Sequence, residues 1–331
     1  MSDSAVLTKI ADDIYQVQLP LPFALNIVNV YLLRGDAGWT VVDTGLNTAA
    51  ARATWQAAFD VLKMTPGEIE KIVLTHTHPD HFGMAGWLQS LAKEAGRDIP
   101  VYTSPKEDEQ ACLIWREEGD FNIETWIHDS GSPLEMAQAV QASTNDTRSK
   151  THPLPLPLQH HQPGEPIQLG ARHFQTIHAP GHSDGQIIFY DPADHLMLSG
   201  DHVLMRITPN IGKWVYSDDD PLGLFLQSLG ELRALDVRLA LPGHKKLIED
   251  WRGRIDELIA HHDLRLNHVL DALGQGCRTP YEVAGIIFPT DRFSIHEWRF
   301  AVAETLAHLE YLAVRGSIQQ AEGARLYSLS G

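Results

Sequence analysis

The chain has 331 residues, 43% of them hydrophobic, and a formal net charge of −17 at pH 7. The composition is that of a globular protein with a buried core, and the length favours about two domains. The negative charge disfavours a nucleic-acid or anionic-membrane partner, and neither a span of roughly 18 apolar residues nor a secretion signal is evident, so we expect a cytoplasmic protein.

The residues up to about 103 predict a layered α/β domain. Strand-like alternation is followed by turn residues, and segments with helical spacing separate the later strands. The predicted strands are 14–19, 27–33, 39–42, 72–75 and 101–103, and the predicted helices are 48–63 and 83–95. Strands that alternate with helices and are joined by hairpins favour mixed sheets covered by helices.

Residues 105–150 interrupt this rhythm. The segment is helix-prone and acidic, with four Lys or Arg against ten Asp or Glu. We interpret it as a helical insert that covers the site as a lid. The proline-rich residues 151–157 predict an extended connector, and short strands resume at 167–169, 173–178, 186–190 and 196–198.

The chain changes character after residue 250. Helical patterns at 251–273, 281–288 and 295–314 precede a hairpin pattern that ends near Tyr327. This order of elements is typical of a winged-helix module. We therefore predict a catalytic domain at residues 1–250, with the insert at about 105–150, and a winged-helix-like domain at residues 251–331.

A dense cluster of candidate metal ligands, His76-Thr77-His78-Pro79-Asp80-His81, directly follows a predicted buried strand. Because side chains alternate along a strand, four such groups in six residues converge only where a loop turns into a helix. Imidazole and carboxylate groups suit Zn²⁺, and also Fe or Mn at a mixed nitrogen and oxygen site. The cluster therefore predicts a metal site.

Three later motifs each place a ligand-type residue after a strand and a glycine turn: Gly181-His182, Gly200-Asp201 and Gly243-His244. Together with the preceding HxHxDH cluster, they make the chain resemble the metallo-β-lactamase superfamily over roughly residues 10 to 250. The resemblance implies an αββα sandwich of the α/β class, with the site at one edge between the two sheets.

The resemblance also implies a role for each motif residue. A first metal would be held by His76, His78 and His182, a second by Asp80, His81 and His244, and both by the bridging Asp201. Asp43, in Asp43-Thr44-Gly45, matches a position that accepts hydrogen bonds and orients a ligand histidine.

Two divalent ions, with Zn as first choice and Fe or Mn as alternatives, imply hydrolysis. Cations about 3.5–4 Å apart share a water and lower its pKa toward ~7, so that a bridging hydroxide forms at neutral pH. Asp80 is the candidate catalytic residue, because a ligand of the second metal can also steer this nucleophile or take its proton.

Residues outside the motifs carry weaker predictions. Arg206, Trp214 and Tyr216 follow Asp201 in a loop and are candidates for substrate contact. His202 is interpreted as a structural neighbour of the site. The histidine doublets at 160–161 and 261–262 lack ligand spacing, and we expect them at the surface.

Fold alone does not choose the substrate, because the superfamily hydrolyses β-lactams, thioesters, lactones, organophosphates and nucleic acids. Leu204 stands three residues past Asp201, where acyl-homoserine lactonases carry Tyr. Residues 251–331 hold eight Arg, no Lys and ten Asp or Glu, a balance that argues against a phosphate-binding face.

We therefore favour a small-molecule thioester, or a related activated ester or lactone, as the substrate. A metal-dependent endoribonuclease that uses the winged helix, and a phosphotriesterase, are the alternatives. The C-terminal module would then form a wall of the pocket or a contact in a homo-oligomer, and we expect no membrane partner.

Overall fold

Two β-sheets form the centre of the fold in the computed structural model, which describes residues 7–116, 121–323 and 325–330. The strands are β1 Leu7–Lys9, β2 Ile14–Pro20, β3 Ile27–Arg34, β4 Trp39–Val42, β5 Ile69–Val73, β6 Val101–Thr103, β7 Leu158–His160, β8 Pro166–Leu169, β9 Arg172–His178, β10 Ile187–Asp191, β11 Leu196–Gly200, β12 Leu239–Pro242, β13 Ile318–Gln320 and β14 Tyr327–Leu329. The first sheet has the order β1-β2-β3-β4-β5-β6-β7 and the second the order β12-β11-β10-β9-β8.

Both sheets are mixed, as the alternation of hairpins and helical connections predicts. Strands β1 to β4 pair antiparallel, and β4 to β7 pair parallel through helical crossovers. In the second sheet β8 to β11 are antiparallel, and β12 joins β11 in parallel. Parallel neighbours end at the same edge of a sheet, so the segments that follow β4, β5, β11 and β12 are brought together.

Helices cover the outer face of each sheet. They are α1 Ala49–Leu62, α2 Pro79–Phe82, α3 Ala85–Glu94, α4 Pro105–Trp115, α5 Ile123–Asp129, α6 Leu134–Ser149, α7 Pro221–Leu232, α8 Trp251–Leu273, α9 Pro280–Ile287 and α10 Ile295–Val314. Short 3₁₀ turns occupy Pro66–Glu68 and Thr290–Arg292.

The buried apolar residues form three layers, because alternate side chains of a strand point to opposite faces. In β3, Leu33 packs between the sheets while Leu32 packs under α1 and α3. In β10, Phe189 packs between the sheets while Ile188 packs under the helices of the second sheet. Helix, sheet, sheet and helix therefore follow one another, which confirms the αββα sandwich.

The insert and the connector after it differ in structure, as their compositions predict. The described residues between 105 and 150 form α4, α5 and α6, and the proline-rich segment runs extended into β7, which extends the first sheet beside β6. Helix α4 begins at a favourable cap, since the Ser104 side chain accepts a hydrogen bond from the backbone of Glu107 and Pro105 occupies the first helical position.

The C-terminal region is helical and ends in the predicted hairpin, β13 with β14. Helices α8 and α10 have the bounds that the sequence predicts, 251–273 and 295–314. Their apolar faces join α7, α5, α6 and the outer face of the second sheet in one buried cluster. The region is therefore packed onto the sandwich and the insert along its length.

One helix, α7, has no counterpart in the sequence prediction. It begins after Asp220, whose side chain accepts a hydrogen bond from the Gly223 backbone, and Pro221 is its first residue. Two glycines and an apolar run obscure its helical spacing. No helix among the described residues is long and apolar enough to cross a membrane.

Candidate metal centre

The seven candidate ligands follow strand ends and meet at one edge of the sandwich. The cluster that begins at His76 lies just after β5 and turns into α2. His182 follows β9, Asp201 follows β11 and His244 follows β12. The short-range pattern of strand, glycine turn and ligand thus places side chains from distant parts of the chain in one site.

Three imidazoles form the first group of converging ligand atoms. Nδ1 of His78 lies 3.1 Å from Nε2 of His76 and 2.9 Å from Nε2 of His182. Two nitrogens about 2.0–2.1 Å from a tetrahedral ion are roughly 3.3 Å apart. The spacing of these three nitrogens therefore suits one shared cation.

Asp80, His81 and His244 form the second group. Nε2 of His244 lies 3.3 Å from Oδ2 of Asp80, and both nitrogen and oxygen face inward. Asp201 lies between the groups: Oδ2 is 3.2 Å from Nε2 of His244 and 3.8 Å from Nε2 of His182, and Oδ1 is 3.4 Å from Nε2 of His81. Its carboxylate is placed to contact cations held by either group.

Three atoms of the centre are buried without a hydrogen-bond partner among the residues that the structure describes: His81 Nε2, His244 Nε2 and Asp201 Oδ1. A buried polar atom without a partner costs about 1–3 kcal/mol. Their nearest polar neighbours are further ligand-type groups of the same cluster. A cation coordinated there satisfies them, so these residues fit a metal site.

The outward ring nitrogens of four histidines have hydrogen-bond partners that fix which nitrogen faces the site. The partners are Thr75 Oγ1 for His76 at 2.9 Å, Asp43 Oδ2 for His81 at 2.9 Å, the Asn210 carbonyl for His182 at 2.9 Å and the Ile27 carbonyl for His244 at 2.7 Å. Each contact holds a proton on Nδ1, which leaves the Nε2 lone pair for a cation.

Asp43 supports histidines of both groups. Its Oδ2 accepts hydrogen bonds from His81 Nδ1 at 2.9 Å and from Thr75 Oγ1 at 2.8 Å, and its Oδ1 accepts one from the Thr75 backbone at 2.8 Å. The Thr75 hydroxyl oxygen in turn contacts His76. One buried carboxylate after β4 thereby orients a ligand in each group.

Burial and charge divide the histidines electrostatically. Burial lowers the pKa of His76 well below its ordinary value and that of His78 to about 3, so both are neutral at pH 7. Burial also lowers the pKa of His244, but Asp201 and Asp80 outweigh it and raise the pKa to about 10. The carboxylates thus attract positive charge, which a bound cation supplies in place of protons.

Glu107, in the first turn of α4, joins the loops that carry the first group. Its Oε2 accepts hydrogen bonds from the backbone and hydroxyl of Thr77, each at 2.7 Å. Its Oε1 accepts one from the Gly185 backbone at 3.0 Å and one from the Ser183 hydroxyl. Thr77 lies between two candidate ligands and Ser183 follows a third, so this fully buried carboxylate holds the segments of three candidate ligands together.

Gly243 allows the closest approach within the centre. A Cβ atom at this position would lie 2.2 Å from Oδ1 of Asp201 and 2.6 Å from Cε1 of His81. These distances are far shorter than any non-bonded contact, so a side chain would displace the ligands. The glycine before His244 is therefore required by space.

A cavity of about 390 Å³ opens onto the centre. Its floor includes His78, Asp80, His182 and Asp201. Its walls come from the N-terminal loop, the insert, the segment after Asp201 and α10, and they include Phe23, Leu25, Ile114, Trp115, Phe121, Ile123, Leu204, Trp214, Tyr216, His296, Arg299 and Phe300. The insert thus forms one side of the cavity, and the C-terminal region forms another.

The structure separates the weaker candidates. Trp214 and Tyr216 line the cavity, whereas Arg206 is exposed and lies outside the described lining. His202 is buried against Phe225, and its Nε2 lies 3.0 Å from the Ser228 hydroxyl.

The expectation of surface histidine doublets is correct for His160, which is exposed, and wrong for His262. His262 is fully buried, and its Nδ1 lies 3.1 Å from Nε2 of His308. It occupies the inner face of α8, at helical spacing with Leu258 and Leu266. That spacing is the signal by which the sequence could have placed it inside.

Several groups at the site were not predicted: Glu107, Asn210, His296 and Arg299. Glu107 stands in an acidic run that reads as solvated, and Asn210 acts through its backbone carbonyl, which no side-chain pattern reveals. His296 and Arg299 lie more than fifty residues past His244, in a helix whose sequence indicates only amphipathic packing.

Comparisons with known proteins agree with this geometry. The family described as "Metallo-beta-lactamase superfamily" matches residues 24–244, and the one described as "Metallo-beta-lactamase-like, C-terminal domain" matches residues 266–327. A crystal structure of a metallo-beta-lactamase family protein from Thermus thermophilus is similar, with a TM-score of 0.86 and 34% identity, over 97% of this chain and 100% of that one.

Two further relatives are similar in sequence. The chain is 26% identical to "Probable metallo-hydrolase YqjP" of Bacillus subtilis over 319 residues, which are 93% of this chain and 94% of that protein. It is 29% identical to "Acyl-coenzyme A thioesterase MBLAC2" of Gallus gallus over 228 residues, which are 66% of this chain and 73% of that protein.

Proposed function

The chain belongs to the metallo-beta-lactamase superfamily, and from that premise we propose that it is a dinuclear hydrolase of a thioester or a related activated ester or lactone. The observation that carries the proposal is the complete set of seven ligand-type side chains, four of which form the floor of a largely apolar cavity. Residues 1–250 supply this set, and residues 251–331 supply one wall of the cavity.

In this proposal His76, His78 and His182 hold one divalent ion, and Asp80, His81 and His244 hold the other. Asp201 bridges them, as its distances to both groups support. Zn is the first choice, and Fe or Mn are the alternatives. Two such ions, when bound, lower the pKa of a shared water toward about 7 and polarise the oxygen of the scissile group.

Asp80 is the candidate catalytic residue. It lines the cavity and also faces His244, so one carboxylate borders both the ligand cluster and the space for substrate. Its carboxylate stays ionised at neutral pH: burial raises the pKa, but His81 and His244 outweigh burial and lower it below its ordinary range. An ionised oxygen at this place can orient the attacking water and accept its proton.

Three observations support an acyl substrate over a nucleic acid. The cavity is bounded by the insert and α10, and its apolar wall suits an acyl chain. One relative is named as an acyl-coenzyme A thioesterase. The formal net charge of −17 disfavours a polyanionic substrate.

Three of the eight arginines of the C-terminal region face inward, which also argues against a nuclease. Arg254 is buried and donates to the carbonyls of Leu204 and Ile207, Arg265 faces Glu304, and Arg299 faces the cavity. These three positive charges face inner groups of the protein or the cavity, whereas binding to phosphate backbones needs a basic exposed face.

The test is a substrate panel with defined metals. The protein, loaded in turn with Zn, Mn or Fe, is assayed on acyl-CoA, S-acylglutathione, lactone, phosphotriester and single-stranded RNA substrates. We expect turnover of a thioester or activated ester, and a loss of both metal content and turnover in Asp80→Ala and Asp201→Ala. RNA cleavage without ester turnover would overturn the proposal, as would an Asp80→Ala variant with two metals per chain and full activity.

A further inference from the structure

The guanidinium group of Arg299 lies in the cavity wall without a carboxylate partner among the described residues. It projects from the first turns of α10, and its contacts are the Thr144 hydroxyl at 3.2 Å from Nη1 and Nδ1 of His296 at 3.5 Å from Nη2. Its Nε is buried and has no hydrogen-bond partner there. One N–H group on each Nη atom thus remains without a partner among the described residues.

The other neighbours of Arg299 are aromatic. The guanidinium carbon lies 4.7 Å from the ring centre of Phe300 and 5.7 Å from that of Trp214. Cation–π contacts of this kind contribute about 0.5–2 kcal/mol, and they leave the half-buried charge without a counter-ion in the part of the chain that the structure describes. Burial lowers the pKa of Arg299 to about 10, so the group remains charged at pH 7.

The carboxylates that line the cavity have other partners. Glu297 caps α10 by accepting hydrogen bonds from Ser294, and Asp184 accepts one from the Asp218 backbone at 2.9 Å. Asp80 and Asp201 face the ligand histidines. Arg299 therefore differs from Arg254 and Arg265, whose charges are balanced by Glu257 and Glu304.

His296 lies one helical turn before Arg299 in α10 and lines the same cavity. The His296 ring stacks on Phe23, with 4.8 Å between ring centres. Burial and Arg299 lower the pKa of His296 to about 4, while the charge of Asp80 acts in the opposite direction. The imidazole beside the guanidinium is therefore neutral at pH 7 and supplies no counter-charge.

We propose that Arg299 binds an anionic group, a carboxylate or a phosphate, of the molecule that occupies the cavity. A guanidinium matches the planar geometry of a carboxylate or two oxygens of a phosphate with paired N–H donors, and the ligand supplies the missing counter-charge. The apolar walls hold the rest of the acyl chain. The preferred substrate is then an acyl compound with a negative charge remote from the scissile bond; this second step rests on the proposed hydrolase function, whereas anion binding does not.

Direct binding tests the anion site without assuming any reaction. Isothermal titration calorimetry on the metal-loaded protein compares hexanoate, hexyl phosphate and the neutral hexanamide. We expect Arg299→Met to weaken binding of the preferred anion by about 10–100-fold and to leave the amide within about two-fold of wild type. Both proteins have the same metal-binding residues, so the difference in affinity between wild type and variant reports the contribution of Arg299 and not binding of the anions to the metals.

Arg252→Met is the matched control, because Arg252 is an exposed arginine of α8 outside the cavity lining. We expect it to bind all three probes like wild type. The tighter of the two anions identifies the class of group. Equal binding of that anion by wild type and Arg299→Met would overturn the proposal.

Thermal unfolding of the ligand-free proteins separates ligand binding from a structural role. Arg299 is half-buried and has no carboxylate partner among the described residues, and such a charge is unfavourable for folding, so Arg299→Met is expected to unfold at the same temperature as wild type or higher. A clear decrease together with unchanged binding of the anion would mean that Arg299 serves only to hold α6 to α10 through Thr144, and it would overturn the proposal.

Turnover then connects the site to the proposed function. Thioesters with a terminal carboxylate are compared with their methyl esters, and the ratio of kcat/KM is expected to exceed about 10 in wild type and to approach about 1 in Arg299→Met. If calorimetry shows the anion site but no thioester is hydrolysed, the hydrolase proposal fails and the anion site stands. If thioesters are hydrolysed with no effect of Arg299→Met on binding or on this ratio, only the anion site fails.

Discussion

Asp43→Asn is the sharpest test of how the site is oriented, because it changes one atom of a buried carboxylate. Asp43 has a φ of 60°, a left-handed conformation that asparagine tolerates well. The substitution therefore adds no backbone strain. What changes is hydrogen bonding, since the carboxylate accepts three hydrogen bonds and the amide oxygen must face only some of those donors.

The consequence follows from the direction of each hydrogen bond. If the amide oxygen keeps the Thr75 backbone N–H, the amide nitrogen faces the Thr75 hydroxyl and Nδ1 of His81. His81 must then move its proton from Nδ1 to Nε2, the atom that faces the site. The Thr75 hydroxyl then accepts a hydrogen bond from the amide nitrogen at position 43 and donates its own proton to Nδ1 of His76. This favours a proton on Nε2 of His76 as well. If the amide is reversed, its nitrogen opposes the Thr75 N–H instead.

Either orientation costs about 1–3 kcal/mol for an unsatisfied or inverted buried group. We expect metal affinity to fall about 10–100-fold, the usual effect of losing a partner of a metal-binding histidine. Competition with a chromophoric chelator measures this affinity, and metal analysis of the purified protein measures occupancy. Turnover of Asp43→Asn should lie closer to the wild-type value at saturating metal than at limiting metal.

Asp36→Asn, an exposed aspartate in the turn between β3 and β4, is the control and should match wild type. Wild-type affinity and occupancy in Asp43→Asn would refute the reasoning that this carboxylate sets the histidine tautomers. A drop in folding stability with unchanged metal affinity would refute it equally.

Three further predictions concern other supports of the site. Glu107→Gln places an amide nitrogen against a backbone N–H, so it should lower metal affinity and the free energy of unfolding by roughly 3 kcal/mol or more. The exposed Glu109→Gln is the control and should change neither. Wild-type values for Glu107→Gln in chelator competition and urea unfolding would contradict this. Gly243→Ala should abolish metal binding, because its Cβ would overlap two candidate ligands. In Gly230→Ala the Cβ meets no atom within 4 Å, so this variant should stabilise α7 by about 0.5–1 kcal/mol. Metal analysis and urea unfolding check both variants. Burial raises the pKa of Glu304 from 4.5 to about 7, so this carboxyl ionises at lower pH in the unfolded chain than in the folded protein. The free energy of unfolding therefore falls as pH rises from about 4.5 to 7, by roughly 3 kcal/mol at pH 8. Glu304→Gln should remove that loss, and parallel curves of stability against pH for the two proteins would contradict this.

The local features of the site could be predicted because they depend on short segments. A ligand that follows a strand and a glycine turn is visible within about six residues, and strands of one sheet end at a shared edge. His76, His182, Asp201 and His244 follow this rule, and the structure brings them together. Periodicity likewise predicted α8 and α10 to the residue.

Features that depend on long-range packing could not be predicted in this way. Glu107 has the same local sequence character as its exposed neighbour Glu109, and only the approach of the Thr77 and Ser183 loops makes it a buried acceptor. The stripe that His262 shares with Leu258 and Leu266 indicates the inner face of α8, but its partner, His308, lies 46 residues away and no local pattern identifies it. In each case the deciding contact joins segments whose separation carries no sequence signal.

The sequence by itself determined the fold class and the identity of the ligand-type residues, since coordination chemistry restricts residue types and strand periodicity restricts where they stand. Only the tertiary structure decided which side chains enclose the substrate space. Arg299 and Trp214 meet there because α10 packs across the insert and the second sheet, a result of the shared buried cluster of α5, α6, α7, α8 and α10. Packing of that kind is set by the summed burial of many apolar side chains, and no single motif encodes it.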